Sequence, residues 1–219
     1  MAKEKLQVGV IGLGKFGLRF AIHLVELGHD VLGLDNDPVH IKQAQAHLTQ
    51  VFLADVREKE VLEQTGMAEL EYVMVSVGDS ISASAMISMF LKELKVPNVW
   101  VKARNVDHKK LLEKIGVDRV VIPEDLAARQ LADRLTHPGF VDRLPFDHNL
   151  IIHELTIDQW AGKTLRQLDL TNHYKIQVIA VRPGAGGKPS FIPNPNQVLA
   201  AGDILVVIGH RGQLEHFKS

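Results

Sequence analysis

Residues 8–17 read Val8-Gly9-Val10-Ile11-Gly12-Leu13-Gly14-Lys15-Phe16-Gly17. An apolar strand runs into Gly12-x-Gly14-x-x-Gly17, and an amphipathic helix follows from Phe16 to Leu27. In a dinucleotide-binding turn each glycine has its own task. Gly12 permits the tight strand-to-helix turn, Gly14 lets a pyrophosphate approach the backbone, and Gly17 lets the helix lie close on the sheet. The helix N-terminus then offers unpaired N–H groups and partial positive charge to phosphates. Lys15 and Phe16, held between the glycines, belong to the same candidate cofactor-binding set. A second strand, Val31 to Leu34, ends in Asp35, 18 residues after Gly17. A carboxylate there is placed to take two ribose hydroxyls, with Asn36 beside it, and it disfavours a 2′-phosphate. The bland alternative is a glycine-rich turn with Asp35 capping the helix that Pro38 begins.

Composition bounds the remaining classes. The chain has 219 residues, 46% hydrophobic and 23% charged, which suits one large domain or two small ones with a proper core. A net charge of −1 leaves no basic excess for phosphate backbones, so nucleic acid is not expected as a partner. Cysteine is absent, which excludes disulfides, thiolate metal sites and Cys nucleophiles. Met1-Ala2-Lys3-Glu4-Lys5-Leu6 leads straight into the first strand, with no room for a signal peptide. No stretch approaches the ~20 apolar residues of a membrane span. The expectation is a soluble, cytoplasmic protein.

Residues 6–135 alternate strand and helix. Strands are expected at Leu6–Ile11, Asp30–Leu34, Gln50–Leu53, Tyr72–Val77, Asn98–Lys102 and Arg119–Val121, with helices between them and Gly28, Gly66 and Gly116 as stops. This predicts an α/β fold, a doubly wound parallel Rossmann-like sheet, with the ligand at the switch point of strand order. The alternation fails near 136–148, which reads as a linker with Pro138, Gly139 and Pro145. Beyond it, 149–219 reads as a small α+β domain with strands at Leu150–Ile157, Ile176–Arg182 and Asp203–Gly209. A module of about 70 residues folds more safely as a dimer. The helix around Ile81–Leu91 carries no charge on any face, so it is either covered within the fold or meets another subunit.

These stretches, taken together and in order, resemble the RCK (also called KTN) family of cytosolic regulatory subunits of bacterial Ktr and Trk potassium-uptake systems, the KtrA/TrkA family, and within it the KtrA group. The resemblance rests on Val10–Gly17, Leu32-Gly33-Leu34-Asp35, Ala54-Asp55, Pro97–Ala103, and Leu111–Glu124 in the first part. In the second part it rests on Ala161–Leu165, Val178–Arg182 and Gly202–Gly209. It implies a TrkA-C-like second domain, ATP or ADP in the cleft, with NAD(H) an alternative, and a divalent cation accompanying ATP. It further implies an octameric ring of dimers on a membrane ion-translocating subunit of KtrB/TrkH type at the inner face of the cell membrane. Cyclic di-AMP at the second domain is also implied, in the region of Ile179, Arg182 and Pro193. One departure is Lys15, where KtrA proteins commonly carry the arginine that reaches the terminal phosphate; lysine keeps the charge and loses the planar fork.

The remaining candidates each carry two readings. Asp55 with Glu58 looks like a capping box, while the resemblance puts Asp55, with Val56, beside the adenine ring. Val77-Gly78-Asp79 follows the fourth strand, where Gly78 either allows close ligand approach or simply turns the chain. Lys102 and Arg104, two apart at the end of the fifth strand, are expected to share a face toward the cleft, or else to be solvated. Glu124 opens the last helix of the first domain; the resemblance puts it near the phosphates, in some members with a bound cation, and the plain alternative is a carboxylate favoured by the helix end. His153-Glu154 lacks the second histidine of a zinc-protease motif. No catalytic residue is expected. A dehydrogenase remains an alternative on the first domain alone, although neither Tyr72 nor Tyr174 begins a Tyr-x-x-x-Lys. A regulator of another cation transporter or channel is a further alternative.

Overall fold

The computed structural model describes residues 5–78, 80–136, 140–144 and 147–214. It divides into two compact units, Met1–Glu124 and Asp125–Ser219.

The first unit interleaves six strands with helices. They run β1 (Gln7–Ile11), α1 (Lys15–Glu26), β2 (Asp30–Asp35), α2 (Pro38–Ala44), β3 (Gln50–Leu53), α3 (Lys59–Gln64), β4 (Tyr72–Val75), α4 (Ile81–Glu93), β5 (Asn98–Lys102), α5 (Val106–Ile115) and β6 (Arg119–Val121). All strands pair in parallel in the order β3-β2-β1-β4-β5-β6. Successive side chains of a strand point to opposite faces, so β1 and β4 feed two cores. Val10 and Met74 join Ala21, Ile41 and Ala44 under α1 and α2. Ile11, Val73 and Val75 join Leu62, Ile87, Leu91 and Leu112 under α3, α4 and α5. Helices on both faces make the sheet doubly wound, and strand order reverses between β1 and β4.

The helix α4, uncharged over Ile81–Leu91, is covered along one face. Ala83, Ser84, Ile87, Ser88 and Leu91 are buried, while Met86 and Met89 are exposed. β4 ends at Val75, two residues earlier than its apolar run suggests. Its neighbour β1 stops at Ile11, and after the Ser76 N–H donates to the Ile11 carbonyl at 2.7 Å the chain leaves the sheet.

The helix α6 (Pro123–Thr136) starts at the unit boundary. In the second unit its Asp133 accepts from Arg211 at 2.7 Å. This unit holds β7 (Phe140–Leu144), β8 (Asp147–Thr156), the short helices α7 (Leu165–Leu168) and α8 (Leu170–Tyr174), β9 (Gln177–Arg182), β10 (Ser190–Phe191), β11 (Ile204–His210) and α9 (Arg211–Leu214). They form an antiparallel sheet in the order β10-β9-β11-β8-β7 around Ile151, Leu155, Leu168, Val181, Leu205 and Val207. The stretch expected as a linker, 136–148, therefore contains β7 and the start of β8. Proline and glycine nearby hid a strand whose partner lies immediately after it in sequence. Pro138, Gly139 and Pro145 themselves lie outside the described residues. Among the described residues no helix is long and apolar enough to cross a membrane.

Candidate functional site

The glycine turn leaves β1 with a left-handed residue. Gly12 has φ +89°, and its N–H donates to the Leu34 carbonyl at 2.8 Å. A Cβ there would stand 2.8 Å from the Ser76 carbonyl, so only glycine lets the turn cross the end of β4. At Gly17 a Cβ would collide with the Gly12 carbonyl oxygen, which locks the first turn of α1 onto the turn before it. Gly14 differs from both. The nearest atom to a Cβ there is His40 Cε1 at 3.9 Å, so the space above it is open to a ligand. Gly14 is also the N-cap of α1, no side chain caps it, and the first turn holds no acidic residue. The positive end of α1 is thus left uncompensated beside the open glycine.

A cleft of about 650 Å³ lies at this turn, at the carboxyl ends of β1, β2, β3 and β4. Of the residues singled out from sequence, it is lined by Gly12, Gly14, Asp35, Asn36, Asp55, Val56, Val77 and Gly78. Asp79 lies outside the described residues.

Asp35 is 7% exposed. Its Oδ2 accepts from the Leu13 N–H at 2.6 Å and faces His40 Nδ1 at 3.1 Å, and its Oδ1 accepts from the Asp37 N–H at 2.8 Å. The cap of α2 is Asp37, whose Oδ1 accepts from the Val39 N–H at 2.8 Å. Asp35 is therefore not the helix cap and is turned instead to the glycine loop. Asp55 is not the cap of α3 either. That position is Glu58, with no side-chain cap bond, so the expected capping box is absent. Asp55 instead forks onto Arg57, accepting from its Nε at 2.9 Å and also from its Nη2 and its backbone N–H. Those hydrogen bonds pull the Asp55 carboxyl down to about 2 and raise the Arg57 guanidinium.

On the far side, Lys102 reaches toward Gly78, where its Nζ is 3.9 Å from where a Cβ would stand. It also lies 5.7 Å from the Phe16 ring centroid and donates to Glu124 Oε1 at 2.7 Å. That bond holds the Glu124 carboxyl below its ordinary range. Lys102, Phe16 and Glu124 thus form one cluster next to Gly78, just outside the cleft lining. Lys15 is exposed at the start of α1 and does not line the cleft. Arg104 does not share a strand face with Lys102, because β5 ends at Lys102. Its N–H donates to His108 Nδ1 at 3.1 Å, its side chain is exposed, and it does not line the cleft. Among the described residues no group of three metal-ligating side chains surrounds Glu124 or any other position.

Sequence reasoning missed His40, Arg57 and the serines Ser76, Ser80 and Ser82, all of which line the cleft. The signal for His40 was its place as the third residue of a helix capped by Asp37, a position whose side chain turns back over the cap.

In the second unit a cavity of about 570 Å³ is lined by Leu165, Arg166, Ile192, Pro193 and Pro195 among others. Of the three residues expected in a ligand region there, Pro193 lines it and Ile179 and Arg182 do not. Arg182 instead donates to Glu154 Oε2 at 3.0 Å.

Residues 8–123 match the TrkA-N domain and residues 151–219 the TrkA-C domain. The chain is 31% identical to the Ktr system potassium uptake protein A of Bacillus subtilis (strain 168), over 97% of this chain and 96% of that one. It is 32% identical to protein C of the same organism over 98% and 96%, and 29% identical to protein A of Vibrio alginolyticus over 95% and 94%. Among solved structures, the GsuK RCK domain superposes with a TM-score of 0.55 at 20% identity, and the GsuK channel bound to NAD with 0.57 at 21%. The chain covers 46% and 38% of those longer chains, and at such identity the likeness establishes the fold. By both domain matches and by near full-length identity to Ktr proteins, the chain belongs to the RCK family of Ktr and Trk potassium uptake proteins, a TrkA-N domain followed by a TrkA-C domain.

Proposed function

We propose that the chain is a nucleotide-binding regulatory subunit of a Ktr/Trk-type potassium transport system, acting by conformation and not by catalysis. The observation that carries this reading is the cleft at the β1/β4 switch point. There an uncapped helix N-terminus and the open Gly14 meet the buried acid Asp35. That combination suits a ribose on the Asp35 side and phosphates at the helix end. Adenine nucleotides are the ligand class, ATP and ADP first and NAD(H) second. Asp55 and Val56 take the base side, and Lys102 the distal phosphates past Gly78. A divalent cation would arrive on ATP, with Glu124 as its one protein carboxylate.

Two nucleotides in one cleft move a conformational equilibrium only by the difference in their affinity for its two states. The states belong to an assembly, an octameric ring of dimers seated on a KtrB/TrkH-type membrane subunit at the cytoplasmic face. The uncharged, exposed Met86 and Met89 on α4 support a contact between copies. Nucleotide binding is assigned to residues 1–135. Residues 149–219 are assigned to the second domain, whose cavity beside Pro193 is the candidate for cyclic di-AMP.

Calorimetric titration of the purified protein with ATP, ADP, NADH and NADPH, with light scattering on each sample, tests the reading. The expected result is micromolar binding of ATP and ADP with different heats to a large ring, and no binding of NADPH. Absence of adenine-nucleotide binding would overturn it. Tight binding of NADH alone by a dimer would redirect the search to a redox substrate.

A further inference from the structure

A carboxylate offers about four acceptor positions. At Asp35 three are already filled, by the Leu13 N–H, the Asp37 N–H and His40. Oδ2 carries two of those partners and Oδ1 carries one. One acceptor position remains on Oδ1, so Asp35 in this arrangement grips one ribose hydroxyl, not two.

His40 is the next polar group along the cleft from Asp35. Its ring lines the cleft and is 36% exposed. Nδ1 faces Asp35 at 3.1 Å, and Cε1 is 3.9 Å from where a Cβ on Gly14 would stand. A carboxylate oxygen accepts, so Nδ1 carries the hydrogen of that bond. Nε2 is bonded to the same Cε1 and makes no hydrogen bond among the described residues.

Resting on the adenine-nucleotide reading above, we propose that His40 is a ligand-contacting residue of the cleft. One ribose hydroxyl donates to Asp35 Oδ1, and the other meets His40 Nε2. The sugar diol is then read by a carboxylate–imidazole pair. A neutral imidazole accepts at Nε2 and a protonated one donates, and a hydroxyl satisfies either.

The test titrates ADP, 2′-deoxy-ADP and 3′-deoxy-ADP into wild type, His40→Ala and His40→Leu, with a thermal melt of each protein. Leucine keeps apolar bulk over Gly14 and carries the test if alanine loosens the turn. The expected loss for ADP in either variant is about tenfold, the scale of one hydrogen bond to a buried polar group. The decisive readout is the coupling. One deoxy analogue should bind wild type about tenfold more weakly than ADP, yet bind the variants no worse than they bind ADP. Equal losses for ADP and both analogues would reduce His40 to a residue that merely orients Asp35 and overturn the proposal. Unchanged ADP affinity in the variants would overturn it as well. Failure of wild type to bind ADP at all is a different outcome, since it removes the nucleotide reading itself.

Discussion

The Lys102 ammonium donates to the Glu124 carboxylate at 2.7 Å, tying the end of β5 to the first turn of α6. The lysine side chain is 17% exposed and the glutamate 67%, so the cation is the more buried member of the pair. The same ammonium lies within reach of Gly78 at the cleft. On the reading proposed above, a phosphate entering there would compete with Glu124 for that ammonium.

Lys102→Ala should therefore weaken ATP and ADP about tenfold, the scale of a charge-assisted hydrogen bond. Glu124→Gln should strengthen ADP about two- to fivefold in EDTA, because an exposed pair of this kind is worth little and only its competition is removed. With magnesium and ATP the same variant should lose affinity, since the cation loses its carboxylate. Calorimetry in both buffers separates the two effects. Glu124→Gln without effect in either would remove Glu124 from the site.

Gly14 and Gly17 share a motif and differ in what surrounds them. Gly17→Ala forces a methyl into the Gly12 carbonyl and should cost about 1–3 kcal/mol of stability through overpacking. Gly14→Ala meets only His40 Cε1 at 3.9 Å, so its melting temperature should stay near wild type while nucleotide affinity falls. Thermal melts alongside titrations read both. A folded Gly14→Ala protein with full affinity would show that no phosphate approaches that residue.

Asp35→Ala removes the acceptor for two backbone N–H groups, at Leu13 and Asp37. It should cost about 1–3 kcal/mol in stability and a similar amount in ligand affinity. Asp35→Asn, which keeps one acceptor oxygen, should fall between. Loss of stability with unchanged affinity would make Asp35 a purely structural residue of the turn.

His108 is 2% exposed, and burial holds its ring below the ordinary histidine value of 6.5. Its Nδ1 accepts from the Arg104 N–H, which requires the unprotonated nitrogen. The unfolded chain binds the proton more readily than the folded one. Stability from this site is thus full above pH 6.5 and is lost as pH falls through that value toward the lower folded one. His108→Gln should melt at a lower temperature at pH 7.5 but lose less than wild type between pH 7.5 and 5.5. Parallel loss in both proteins would place the acid sensitivity elsewhere.

The first unit was legible because its signals are local. Gln50–Leu53, Asn98–Lys102 and Arg119–Val121 were expected as strands over the residues that form them, each an apolar run between turn signals. In the second unit β10, two residues long, and β7 owe their conformation to pairing with β9 and β8, which no local period announces. At the site, the glycines and Asp35 could be placed because backbone geometry demands those residue types at that spacing. Arg57 could not, since its fork onto Asp55 depends on how the chain leaves β3. Arg104 was misplaced for the converse reason: strand alternation was extended past the residue where the strand stops.

The bonds that hold the glycine turn have a kinetic meaning. The Gly12 N–H is fixed on Leu34 and the Leu13 N–H on Asp35 before any ligand arrives. Ordering of that loop thus belongs to folding, and a nucleotide binding as proposed would meet the uncapped end of α1 already in place. Capture should proceed without waiting for a loop to close, so nucleotides will differ mainly in how long they stay.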